Sequence, residues 1–139
     1  MASTSVSRVV PASPQKVWDL VGGFDALPDW LPYIPESTAL EGGRVRRLAN
    51  PDGDVIVERL VHFSETERSY TYAILEAPFP VTGYLSTLRV HPVAGRDDVA
   101  EVQWSGRFTP DGATDAETED LFARIYRDGL EALHQALSA

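Results

Sequence analysis

The chain has no cysteine. That excludes a disulfide framework, a thiolate metal site and a cysteine nucleophile, and it suits a reducing compartment. Long apolar runs are missing too: no stretch approaches the ~20 residues of a membrane-spanning helix. The first ten residues lack the basic start and apolar segment of a secretory signal, so the default expectation is a cytoplasmic protein with no integral membrane segment. Positive charge is scarce, with 12 Lys and Arg against 21 Asp and Glu and a formal net charge of -9. Such a surface repels nucleic-acid phosphate and anionic lipid, which argues against both as partners. Solubility accounts for the charge, with steering of a cationic partner as the other reading. Phosphate-cradling glycine motifs and a G-x-S-x-G nucleophile setting are absent. The three histidines, His62, His91 and His134, have no metal-ligand spacing. Neither a metal nor a cofactor is expected.

What is present is one domain of ordinary size, residues 1–139. A chain of this length buries roughly 68–70% of its unfolded surface, enough for a core without staples. Thr4–Val10 is β-branched and stops at Pro11, which predicts a strand. Ser13-Pro14 then starts a short helix, with a capping hydroxyl followed by proline at the first helical position. Phe24 to Pro35 is dense in aromatics and prolines, so it holds at most one helical turn near Asp25–Trp30 and must dock on something. From Ser37 to Thr109, six segments alternate with turn chemistry: 37–41, 44–49, 55–64, 69–77, 83–93 and 99–109. Short connections imply hairpins and an antiparallel sheet. Thr114 and Glu117 form a capping box. Leu121, Ile125, Gly129 or Leu130, Leu133 and Leu137 make one apolar helical stripe behind it.

Several segments carry a resemblance. They are S-P-Q-K-V-W-D-L at Ser13–Leu20, P-D-W-L-P-Y-I at Pro28–Ile34, V-E-R-L at Val57–Leu60, Y-T-Y at Tyr70–Tyr72, P-F-P-V-T-G-Y at Pro78–Tyr84 and V-Q-W-S-G-R-F at Val102–Phe108. In this order they resemble the START-like (SRPBCC) superfamily, in its bacterial polyketide cyclase/dehydrase branch. More distantly they are similar to the plant abscisic-acid receptors and birch-pollen-type allergens. The resemblance implies an α+β helix-grip fold: a curved seven-stranded antiparallel sheet wrapped around a long C-terminal helix, with two short helices after the first strand. It also implies a cavity between sheet and helix.

Carried over from the receptors, Glu58, Tyr72, Tyr84 and Ser86 point into that cavity, with Leu88 further along the same strand. Leu121, Ile125 and Gly129 face it from the helix. Residues 50–53 fall on the receptors' gating loop and 79–81 on their latch. Two departures remove the receptors' own partners. Their carboxylate-binding lysine falls on Pro32, and the latch's His-Arg pair on Phe79-Pro80. Neither an acidic hormone nor a phosphatase is implied.

The residues themselves leave some placements open. Glu58 facing an apolar cavity would have its pKa raised and could bind a ligand hydroxyl or act as acid or base. Facing a neighbouring arginine or tyrosine, it would only satisfy the sheet. Alternation sets Glu58 opposite the more apolar Val55, Val57, Val61 and Phe63; only the resemblance turns it inward. Alternation puts Val102, Trp104 and Phe108 on the core side. The resemblance favours Gln103 and Ser105 instead, and a bulge near Gly106 would reconcile the two. Tyr72 and Tyr84 are cavity wall or plain core, and Gly129 leaves room for a ligand or for a strand. Three functions follow. The first is a binder of a small lipophilic molecule such as a lipid, polyketide or aromatic metabolite. The second is a cyclase, aromatase or dehydratase using Glu58 and the tyrosines. The third is a protein-interaction module docking through residues 24–35.

Overall fold

Strands joined by turns of a few residues pair antiparallel. Residues 36–110 do so five times in succession. The computed structural model describes residues 2–138. It places β2 at Glu36–Leu40, β3 at Val45–Ala49, β4 at Val55–Ser64, β5 at Ser69–Glu76, β6 at Val81–Val93 and β7 at Arg96–Pro110. The first strand, β1 (Ala2–Val10), closes onto the far side of β7, giving the order β1-β7-β6-β5-β4-β3-β2. The result is a curved seven-stranded antiparallel sheet with a long C-terminal helix, the helix-grip α+β fold. Every predicted strand is present. The final hairpin is tighter than expected, because Val93 pairs with Arg96 and only Ala94 and Gly95 turn. Gly95, at φ +77°, supplies the left-handed backbone such a turn requires.

Helix α1 (Pro14–Val21) follows β1 and is capped by Ser13 Oγ, which accepts from the Lys16 N–H at 3.3 Å. The second short helix reduces to one 3₁₀ turn at Leu27–Asp29, which begins at a proline site and cannot extend. Its segment docks on the protein's own core, burying Phe24, Leu27, Trp30, Leu31 and Ile34. The last helix, α2 (Asp115–Leu137), opens with both halves of the capping box, at 3.1 and 2.9 Å. Its buried face runs through Thr118, Phe122, Tyr126, Gly129, Leu130 and Leu133. Leu121, Ile125 and Leu137 are only partly buried beside it. The face is rotated from the leucine stripe because Phe122 and Tyr126 carry the larger apolar surface and take the centre.

Two ambiguous strands are resolved. In β4, Ile56 and Glu58 face inward, while Val61 and Phe63 are 55% and 42% exposed. Register shifts at Val57/Glu58 and Leu60/His62 break the strict alternation. In β7, Val102, Trp104, Gly106 and Phe108 face inward and Gln103 and Ser105 outward. The β6–β7 register runs unbroken from Leu85↔Arg107 to Pro92↔Ala100, so there is no bulge at Gly106. α2 packs chiefly on β1 and β7. The inner face of β3, β4 and β5 lies beyond its main footprint, and there the core is not closed.

Candidate ligand-binding cavity

A cavity of about 260 Å³ occupies that gap. β3, β4 and β5 supply Leu48, Ile56, Glu58, Tyr72 and Ile74. The residues after α1 supply Leu27, Leu31 and Ile34, and α2 supplies Phe122, Ile125 and Tyr126. Tyr84 and Trp104 extend the wall along β6 and β7. The exposed Tyr33 and Asp128 and the half-buried Asn50 and Phe79 stand at its rim. The lining is mostly aliphatic and aromatic, with a few polar groups, the usual make-up of a small-molecule site.

The polar groups converge at one end. Arg46 lies directly across from Glu58 in the β3–β4 hairpin. Both its Nε and Nη2 meet Glu58 Oε1, at 2.8 and 2.7 Å. Its Nη1 donates to the Phe24 carbonyl at 2.6 Å and to the Tyr70 hydroxyl at 3.4 Å. The guanidinium carbon lies 4.2 Å from the Phe24 ring centre, 4.8 Å from Tyr72 and 5.6 Å from Tyr70. This is a charge held by rings as well as by its counter-ion. Glu58 Oε2 has no hydrogen-bond partner among the described residues. Burial pushes the Glu58 carboxyl upward, and Arg46 offsets only part of that. Burial alone would lower the Arg46 guanidinium, but Glu58, Tyr70 and Tyr72 outweigh it and hold Arg46 above its ordinary range.

A second network joins the tyrosines. Trp104 Nε1 donates to both the Tyr72 hydroxyl and Ser86 Oγ, each at 3.1 Å. Ser86 in turn donates to the Ser105 carbonyl at 2.7 Å. The Tyr84 and Tyr126 hydroxyls are hydrogen-bonded to each other, and Tyr126 reaches Ser86 at 3.4 Å. Burial is the main cause that lifts all three phenols: Tyr72 and Tyr84 well above the usual tyrosine range and Tyr126 to about 12. Neighbouring Glu58 adds to the rise at Tyr72, and the other phenols add to it at Tyr84.

Of the residues singled out in the sequence, Glu58, Tyr72, Tyr84 and Ile125 line the cavity. Ser86 lies behind it, buried under Trp104 and Tyr126. Leu88 is fully buried in the core, and Leu121 is partly buried on α2 away from the lining. Gly129 faces the Trp104 indole: a Cβ there would stand 2.6 Å from Cζ3, so close ring approach explains the glycine. Gly106 serves Tyr126 similarly, since a side chain would overlap the tyrosine hydroxyl. Arg46 and Tyr126 were not singled out. Arg46 was open to discovery from register, because it and Glu58 sit symmetrically about the Asn50–Asp54 turn. That turn is tied by Asn50 Oδ1 accepting from the Asp52 and Asp54 N–H groups. His62, His91 and His134 lie on β4, β6 and α2, and no metal-ligating group of side chains is found among the described residues. Nor, among the described residues, is any helix long and apolar enough to cross a membrane.

A curved antiparallel sheet gripping a C-terminal helix over a lined cavity defines a START-like protein. Within that class the chain belongs to the polyketide cyclase/dehydrase and lipid transport family, which matches residues 1–138. It is similar to the protein XoxI from Bacillus cereus at 56% identity, covering 99% of this chain and 96% of that one with a TM-score of 0.95. A Bacillus thuringiensis protein is similar at 52% identity, with 99% and 100% coverage and a TM-score of 0.97. The di-domain ARO/CYC BexL of the BE-7585A biosynthetic pathway is 20% identical, covers 99% of this chain and 47% of that one, and has a TM-score of 0.86. At that identity the likeness shows the fold. Among curated proteins nothing matches.

Proposed function

We propose that the protein binds a small, largely apolar molecule in the cavity between its sheet and its C-terminal helix. The supporting observation is the cavity itself: about 260 Å³ walled by aliphatic and aromatic side chains, with its polar groups gathered at one end. That volume is just below the ~300–1,000 Å³ common for ligand pockets, which favours a small occupant. The family's description, spanning cyclase or dehydrase activity and lipid transport, agrees with an apolar cargo. Native mass spectrometry of freshly purified protein, followed by organic extraction, tests the reading. The expected result is a one-to-one adduct that extraction releases as a lipophilic compound. A bare-chain mass throughout, with no thermal shift from a panel of small apolar compounds, overturns it.

One observation favours a second reading, a cyclase or dehydratase acting on a polyketide-like chain. The Glu58 carboxyl is shifted upward by burial and offers a free oxygen to the cavity, as a general acid or base requires. Against it, the other oxygen is held by Arg46 and the neighbouring phenols are tied to one another. In an enzyme, Glu58→Gln abolishes turnover and leaves binding intact; in a carrier there is no turnover to lose. Turnover that survives the substitution eliminates Glu58 as the acid or base.

A further inference from the structure

We infer that the cavity selects uncharged molecules that carry a hydroxyl group, received between Glu58 Oε2 and the Tyr72 O–H, and rejects their carboxylate counterparts although an arginine stands in its wall. This rests on the ligand-binding reading above and specifies the chemistry of the ligand's polar end.

The argument is a count of free donors and acceptors. Among the described residues, Arg46 is the sole cationic side chain lining the cavity. Three of its five N–H groups are hydrogen-bonded within the protein, one each to Glu58, the Phe24 carbonyl and the Tyr70 hydroxyl, and Nη2 lies 2.7 Å from the same Glu58 oxygen. Its charge is already matched by Glu58, and the rings of Phe24 and Tyr72 lie against it. An entering carboxylate would find no free counter-ion. It would instead meet the second oxygen of Glu58 at the polar end and Asp128 at the rim, so its desolvation would go uncompensated.

The hydroxyl network leaves one donor. The Ser105 carbonyl only accepts, so Ser86 must donate to it. Ser86 then accepts from Trp104 and from Tyr126, and Tyr126 accepts from Tyr84. Those hydroxyl hydrogens are used within the wall. Tyr72 differs. Its oxygen accepts from Trp104, while its own hydrogen makes no hydrogen bond among the described residues, the nearby Ser86 Oγ being already engaged by Ser105, Trp104 and Tyr126. Glu58 and Tyr72 sit on adjacent strands, one step apart diagonally, since Glu58 pairs with Ile74 and Leu60 with Tyr72. Both touch the same guanidinium. Apart from the remaining N–H groups of the Arg46 guanidinium, whose charge Glu58 already neutralises, the polar end presents one unfilled acceptor beside one unfilled hydroxyl donor. A hydroxyl, which donates once and accepts, satisfies both; an ether satisfies only the donor, and a carboxylate opposes the acceptor.

The test is calorimetric titration of the full chain with three probes of one ring system: 1-naphthol, 1-methoxynaphthalene and 1-naphthoate. The expected order is naphthol tightest, the ether weaker by roughly tenfold because a buried acceptor stays unpaired, and naphthoate undetectable. Tyr72→Phe keeps the ring and leaves Trp104 its bond to Ser86, so folding is preserved. It should weaken naphthol by roughly fivefold to tenfold and narrow its advantage over the ether. Equal binding of naphthol and ether, or naphthoate binding best, overturns the hydroxyl inference while leaving an apolar binding cavity. Failure of all three probes overturns the cavity reading itself.

Discussion

Replacing Arg46 with alanine is expected to destabilise the protein by about 3–5 kcal/mol, the usual cost of stripping one partner from a buried ion pair. Arg46 is 1% exposed and Glu58 6%. Removal leaves a buried carboxyl without its counter-ion, a Phe24 carbonyl without its donor, and three aromatic rings facing a void. Against a total stability of about 5–15 kcal/mol, the loss corresponds to a fall in Tm of roughly 10–15 °C for a domain of this size. Urea unfolding followed by circular dichroism reads it directly. The double replacement Arg46→Met with Glu58→Leu separates charge isolation from lost packing. It removes both charges at similar volume and is expected to recover most of the stability, as apolar replacements of buried pairs often do. A loss below about 1 kcal/mol for Arg46→Ala, or a double variant no better than the single, contradicts a buried pair whose partners depend on each other.

How much of this was legible beforehand follows from where each signal resides. The strands, their order and the capped helix were readable because they depend on local chemistry: Ser13-Pro14, Asn50–Gly53, Gly95 and the Thr114–Glu117 box each lie within a few residues of what they determine. On β7 the alternation of Val102, Trp104 and Phe108 pointed to the inward face that the structure has, while the resemblance, which favoured Gln103 and Ser105, pointed to the other. Glu58 was not settled by its strand. The register shift at Leu60/His62 carries the alternation across faces: Val61 lies outside, whereas Phe63 pairs with the buried Tyr70 near the end of the strand. Phe63 packs at 5.5 Å ring separation on Trp18 of α1, a contact between distant segments that no local pattern reveals.

The polar end of the cavity was the least legible part. Its members come from β3, β4, β5, β6, β7 and α2, so only tertiary structure assembles them. One step was available: the tied Asn50 turn fixes the β3–β4 register and sets Arg46 against Glu58. The rotation of α2 by about one residue was not. It depends on Phe122 and Tyr126 finding Tyr84, Phe108 and Trp104 across the sheet, with ring separations of 4.7 to 4.9 Å. The same stacking removes space beside Gly106 and Gly129, which is why glycine stands at both positions.

Raising the pH from about 10 to about 12 is expected to unfold the protein, and the buried phenols are the reason. In the unfolded chain a tyrosine ionises near 10, whereas folding raises Tyr72, Tyr84 and Tyr126 above that, Tyr126 to about 12. Between the two values the unfolded state has lost protons that the native state still holds. Stability therefore falls as pH rises, by about 1.4 kcal/mol per pH unit for each group. Three such groups give a slope of about 4 kcal/mol per unit, steep enough to consume most of a typical domain's stability within two units. The contribution is fully present below about pH 10 and is lost through the folded values. Glu58 is also raised by burial, and its loss of stabilisation with rising pH begins above the ordinary carboxylate value. Urea unfolding at half-unit steps above about pH 9.5 measures the slope, and Tyr126→Phe, which removes one titrating group, should flatten it by about a third. A stability that stays level between about pH 10 and 11 means that water reaches these hydroxyls, and the hydrogen-bonded wall from Tyr84 through Tyr126 to Ser86 is then not closed.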